Sequence, residues 1–299
     1  LYTSVLTTAE YGTYDLAVTT IGVLVPLLTQ DVVDAVLRFS MDKDVDKDGV
    51  LSIGIKHFLI SLVPVVLVLI TNSVLGISPV LIELSPLVLL LYVSQALSGI
   101  VLYYVRGLNR FTDIAVSSVM CSALIIGCNI VFLVVFQWGL SGYFLANVVG
   151  PFLQCVFLLI RLKLHGVNPL RVDKQLEHEM LIYSRPMIAN SISWWVSNVS
   201  DRYVVTFFCG VAANGIYSVA SKIPSILSIV QTVVGQAWTI SAVEEFDPED
   251  SNGFFSNMYA AYNCVMVVVC SLIIACNLLL AKILYANEFY AAWQYAPFL

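Results

Sequence analysis

Charge is what this chain has least of. Asp, Glu, Lys and Arg make up 11% of its 299 residues, whereas 59% are hydrophobic. So apolar a balance cannot cover the surface of a water-soluble domain, and a mean hydropathy of +0.89 belongs to a polytopic helical membrane protein. Chemistry-bearing motifs are missing too. There is no phosphate-cradling glycine loop, dinucleotide fingerprint, zinc-ligand spacing or nucleophile elbow. An ATP-driven pump therefore has no support, and neither enzyme chemistry, a cofactor, a metal nor a nucleic-acid partner is indicated. The seven cysteines are an odd set without a CxxC pair and read as small buried hydrophobes. His57, His165 and His178 carry no assigned role.

What remains is a series of long apolar runs. Eight are present, at 11–38, 52–72, 85–105, 112–136, 140–162, 181–207, 214–241 and 255–281, with a ninth opening near 289. Pro26, Pro64, Pro151, Pro186 and Pro224 fall in or beside them and predict kinks. Eleven of the fourteen basic residues lie in alternate loops, which makes that side cytoplasmic. The acidic loop 243–252 falls on the same side without a lysine or arginine, but acids weigh little in this rule. The chain opens on Leu1 and closes in apolar sequence, as an internal fragment would.

The most informative run is 213–245. Asn214, Ser218, Ser221, Ser225, Ser228, Thr232, Gly235 and Thr239 recur at helical spacing and form one small, polar stripe. Lys222 lies beside that stripe. A lysine in a spanning helix costs a few kcal/mol, so it faces a wet cavity or snorkels to the interface. The start of this run, Gly215-Ile216-Tyr217-Ser218-Val219-Ala220, echoes Gly12-Thr13-Tyr14-Asp15-Leu16-Ala17 at the head of the first run. Five spans lie between the copies, so both point the same way. This predicts an all-α bundle of two pseudo-symmetric lobes, 1–165 and 166–299, truncated at both ends, with a substrate path between them.

Other charges have simpler readings. Asp44-x-Asp46-x-Asp48-Gly49 resembles the start of a calcium loop, but Ile55 stands where the bidentate glutamate belongs, so a solvated inter-helix loop is expected. Asp34 and Arg38, at i,i+4 with Asp31 nearby, suit an interfacial ion pair. Asp15 has no cation near it in sequence; it is either a coupling site for an ion or a helix-start acid. Arg202 meets an anionic headgroup or pairs with a neighbouring helix, and Arg185 fits either the cytoplasmic charge bias or a substrate contact. Trp138, Tyr143, Tyr285, Tyr290 and Trp293 suit an aromatic belt.

Several stretches together resemble one family. They are Glu10-Tyr11-Gly12-Thr13-Tyr14 through Arg38-Phe39, Tyr183-Ser184-Arg185-Pro186 leading to Ser193-Trp194-Trp195, and Asp201-Arg202-Tyr203. To these are added Gly215 through Pro224, Gln236-Ala237-Trp238, and Glu288-Phe289-Tyr290 with Trp293. They look like the Wzx-type polysaccharide biosynthesis proteins, flippases for lipid-linked oligosaccharides in the superfamily of multidrug and toxin exporters. Arg185 departs from the pattern, which has an apolar residue before that proline. The resemblance implies a plasma-membrane protein that moves an undecaprenyl-pyrophosphate-linked glycan for O-antigen or capsule. Its partners would be membrane lipids, a polysaccharide polymerase and a chain-length regulator. Lys222, with Ser218 and Ser225, is the expected headgroup contact, and Arg38, Arg185 and Arg202 are further candidates along the path. Three alternatives stand beside this: a cation-coupled multidrug exporter, a non-transporting scaffold of glycan assembly, and a membrane-embedded glycosyltransferase.

Overall fold

A computed structural model describes residues 2–162, 167–232, 234 and 253–299. The elements run α1 (Tyr2–Val5), α2 (Thr8–Leu28), α3 (Val32–Met41), α4 (Lys47–Leu75), α5 (Pro79–Gly107), α6 (Phe111–Asn129), α7 (Gly139–Leu162), α8 (Lys174–Val199), α9 (Asp201–Cys209) and α10 (Val211–Ala220). A helical stretch 225–232, here α11, precedes α12 (Phe254–Leu284), and 3-10 turns cover Asn287–Gln294 and Ala296–Phe298. No strand occurs among the described residues, and six helices are long and apolar enough to cross a membrane. This is a multi-pass helical membrane protein. The sixth expected run, 181–207, forms helix but is not among those six, because α8 carries polar and charged residues along its length.

Three expected spans are broken, the sixth of them at Ser200 between α8 and α9. The first run divides at Thr29–Asp31, where Gln30 and Asp31 take left-handed φ values of 56° and 51°. Pro26 lies inside α2, and its missing N–H and its ring bear on the turn before it, not on this break. The seventh run is not one helix either. α10 ends at Ala220, residues 221–224 form a turn around Pro224, and helix resumes at 225. Gly235, Thr239, the Gln236-Ala237-Trp238 motif, the acidic loop 243–252, Lys163 and His165 lie outside the described residues.

The chain divides into two compact units, Leu1–Val5 with Tyr14–Tyr203, and Leu6–Thr13 with Val204–Leu299. In the first, α5 packs on α3, α4 and α7 around Val36, Ile53, Leu91, Tyr92, Ile100, Tyr104 and Phe144, all at most 2% exposed. Small residues let these helices close up. A Cβ at Gly107 would lie 2.5 Å from the Ser40 Cβ, and one at Gly54 within 3.0 Å of both Val36 and Ile100. Tyr92 donates to Ser61 at 2.8 Å, satisfying a hydroxyl that would otherwise be stranded in the core. α4 and α5 form a hairpin closed by its own residues. Gly76 caps α4 with φ 64°, and the Asn72 side chain bonds both the amide and the carbonyl of Ser78, at 3.0 and 3.2 Å. The calcium-like run is a helix cap, as its solvated-loop reading allows: the Asp46 carboxylate accepts from the amides of Asp48 and Gly49 at the head of α4.

The second unit gathers the repeated motif. The first turns of α2 cross α10 so tightly that a Cβ on Gly12 would come within 2.1 Å of the Val211 carbonyl, and one on Gly215 within 2.0 Å of the Thr8 carbonyl. Both copies of the Gly-x-Tyr pattern thus meet at one crossing, which explains the glycine in each. Asn214 donates to the Gly12 carbonyl beside it at 3.3 Å. Around this crossing Tyr11 meets Phe289 edge to face at 5.9 Å, Thr8 donates to Glu288 at 3.2 Å, and the Tyr285 hydroxyl donates to the Val219 carbonyl at 3.0 Å.

The aromatic and cysteine expectations need correcting. Tyr143 and Tyr285, expected in an interfacial belt, are 8% and 6% exposed and belong to the packing. Of the cysteines, Cys121 and Cys155 are buried, but Cys209, Cys264 and Cys276 lie on exposed helix faces. On α12 that face also carries Leu272 and Leu279, so an exposed apolar thiol matches its surroundings in a membrane protein.

Candidate functional site

Lys222 stands in the turn between α10 and α11, with its side chain exposed. Its amide donates to the Val219 carbonyl at 3.1 Å, and its carbonyl accepts from the Ser225 hydroxyl at 2.7 Å. The amides of 225, 226 and 227 bond back to the carbonyls of 221, 223 and 224. The amides of 222 and 225–227 are thus occupied within the break. The break follows the carbonyl end of α10, where the helix dipole favours a cation. Ser225 is exposed beside it, whereas Ser218 is fully buried in the second unit.

The other predicted residues lie in the first unit. Asp15 on α2 and Arg202 on α9, 187 positions apart, form an ion pair. Asp15 thus has the cation its sequence neighbourhood did not supply, and Arg202 has a helix partner. The Arg185 Nε donates to Gln30 Oε1 at 3.1 Å. Arg38 is exposed at the end of α3. The expected Asp34–Arg38 pair is not formed among the described residues, and the Asp31 carboxylate instead accepts from the Ser191 hydroxyl at 2.7 Å.

These contacts belong to a polar seam between α2–α3 and α8–α9. Trp195 Nε1 donates to the Thr19 carbonyl at 2.8 Å, and the hydroxyls of Thr20 and Tyr203 share a hydrogen bond of 2.5 Å. The seam ends at the start of α8, where Glu177 takes Lys56 Nζ on both oxygens, at 2.7 and 2.8 Å, and His57 Nε2 at 3.0 Å. Burial pushes the Glu177 carboxyl up, but the hydrogen bonds from Lys56 and His57 outweigh it and hold it below the usual carboxylate range.

Within the seam lies a cavity of about 330 Å³. Asp31, Asp34, Tyr103, Asn190, Trp194 and Trp195 line it. Sequence reasoning missed it because Asp31 and Asp34 had a ready partner in Arg38. The available signal was the tandem Trp194-Trp195 on a run that also carries Asn190, Ser191 and Ser193, too polar for a face against lipid. The acid pair and the tryptophans come from helices far apart in sequence, and only packing joins them.

A family model described as polysaccharide biosynthesis protein matches residues 1–240. Among solved structures, the chain is similar to an inward-facing multidrug resistance MATE family transporter of the MOP superfamily. The TM-score is 0.69 and the identity 16%, over 99% of this chain and 70% of that one. At that identity the likeness speaks for the fold. No curated protein matches the sequence.

Proposed function

The chain belongs to the polysaccharide biosynthesis protein family, and from that membership we propose that it carries a lipid-linked oligosaccharide across the plasma membrane. Its family and its fold are those of transporters rather than enzymes. The observation that supports this reading most is Lys222, an exposed residue at a break between two helical pieces of an apolar run. Broken helices of this kind are where transporters place charged cargo groups. Lysine binds phosphate as a compact point charge and does not demand one geometry, which suits a pyrophosphate that must be taken up and released. Ser225 sits alongside, and Arg38 and Arg185 supply positive charge nearer the cytoplasmic loops. Arg202 is held by Asp15, so we give that pair the task of fixing α9 to α2. From the repeat we propose lobes 1–165 and 166–299, although residues 167–203 pack in the first compact unit, and alternating access as the transport step. A polymerase and a chain-length regulator are the protein partners that fit such a step.

A second reading gains one observation. A cation-coupled multidrug exporter needs carboxylates beside aromatic rings, and Asp31 and Asp34 with Trp194 and Trp195 provide them. The deciding experiment expresses Lys222→Ala, Lys222→Glu and Lys222→Arg in a host lacking its own flippase. Surface polymer is measured at matched protein level. The Ala and Glu variants are expected to abolish polymer and the Arg variant to retain part of it. Normal polymer with Lys222→Glu would overturn the assignment, and resistance to cationic dyes without any polymer would favour the exporter.

A further inference from the structure

The cavity in the first unit carries charge of the opposite sign to a phosphate site. Two carboxylates, Asp31 and Asp34, line it together with Asn190, and no lysine or arginine is among its lining residues. Arg106 neighbours one wall, its guanidinium 5.2 Å from the centre of the Tyr103 ring. Trp194, 63% exposed, and Trp195 offer broad apolar ring surface next to these polar groups. The volume falls at the lower end of the roughly 300–1,000 Å³ usual for small-molecule pockets.

We infer that this cavity receives an uncharged or amino-bearing sugar unit of the cargo and rejects an acidic one. The inference rests on the glycan reading above. A pyranose has two kinds of surface. Its C–H face is apolar and lies well on an indole ring, while its hydroxyls both donate and accept at the edge. Carboxylates accept from those hydroxyls, and the Asn190 amide offers one donor group and one acceptor. Asp31 keeps accepting capacity, because the Ser191 hydroxyl occupies only one lone pair of Oδ2. A uronic acid or a phosphate would bring a third negative charge against two carboxylates in a partly dry site, where like charges repel far more strongly than in water. Selection by sugar charge would then be separate from the pyrophosphate contact assigned to Lys222.

The test uses the purified full chain in detergent, with intrinsic tryptophan fluorescence and calorimetry as readouts. The probes are chitobiose (neutral), glucosamine dimer (amino), glucuronic acid and tetraethylammonium. Chitobiose and glucosamine dimer should bind saturably, and glucuronic acid about tenfold or more weakly. Trp194→Ala should weaken chitobiose about tenfold or more, with Trp194→Phe retaining most of the binding. Asp31→Asn with Asp34→Asn should narrow the gap between chitobiose and glucuronic acid. If loss of the Ser191 contact unfolds that double variant, Asp34→Asn alone should narrow it in part. Glucuronic acid binding as tightly as chitobiose, or tetraethylammonium binding where chitobiose does not, would overturn the inference. Flipping of a lipid-linked oligosaccharide in proteoliposomes separates the two readings. Transport without sugar binding removes the sugar pocket alone, and sugar binding without transport removes the flippase alone.

Discussion

Replacing Gly215 with alanine tests the crossing of α2 and α10 most directly. The added Cβ would stand 2.0 Å from the Thr8 carbonyl oxygen, 2.9 Å from its carbon and 3.2 Å from the Gly12 nitrogen. All three are main-chain atoms, so no side chain can swing aside. A carbon and a carbonyl oxygen rest comfortably at about 3.3 Å or more, so the helices must part by roughly 1.3 Å. Overpacking typically costs about 1–3 kcal/mol, and a backbone obstacle belongs at the upper end. Against this, alanine favours a helix over glycine by about 1 kcal/mol. The net loss is about 1–2 kcal/mol, which lowers Tm by roughly 2–8 °C for a chain of this class. Gly127→Ala is the control, since a Cβ there meets nothing within 4 Å. It should leave Tm unchanged or raise it slightly. Heating the detergent-purified variants and following the surviving monodisperse peak by size exclusion measures both. Equal shifts for the two substitutions would refute the close crossing.

Two further outcomes follow from the seam. Glu177 has a folded-state pKa depressed below its ordinary 4.5, so its contacts with Lys56 and His57 stabilise the fold above that pH and weaken as pH falls through the folded value. Thermal stability measured from pH 7 down to pH 3 should therefore drop less steeply in Glu177→Gln than in the wild type, and parallel curves would count against the latch. Trp195→Phe removes the 2.8 Å bond to the Thr19 carbonyl while keeping an aromatic ring, and should cost about 1 kcal/mol in the same melts, whereas an unchanged Tm would mean the indole N–H is answered elsewhere.

Much of this architecture can be read from residues alone. The apolar runs locate the helices, because a backbone in lipid must satisfy its own hydrogen bonds and a run of given length can do little else. Gly12 and Gly215 are legible as a repeated motif, although nothing in either copy says that the two would touch. The breaks are harder. Pro224 interrupts a run that proline often leaves intact in membranes, and of the left-handed Gln30 and Asp31 only the aspartate belongs to the residues enriched at positive φ. Burial is the least legible property. Ser218 lies on the same predicted stripe as Ser225, yet one is buried and the other exposed once the turn at 221–224 redirects the chain. Pairing across sequence, as of Asp15 with Arg202, is set by helix packing that no local spacing records.

The α4–α5 hairpin also bears on how such a chain enters a bilayer. Its reversal needs only residues 72–78, and one amide side chain answers both polar groups of Ser78. Two long apolar rods joined by a self-satisfied bend can be released from the translocation machinery together, before any later helix exists to shelter them. Opening that clasp with Asn72→Leu would leave the Ser78 amide without its acceptor at the tip, while its carbonyl keeps the Ile82 amide, and the cell would meet the error during biogenesis, as slowed insertion and proteolysis, before any defect in transport.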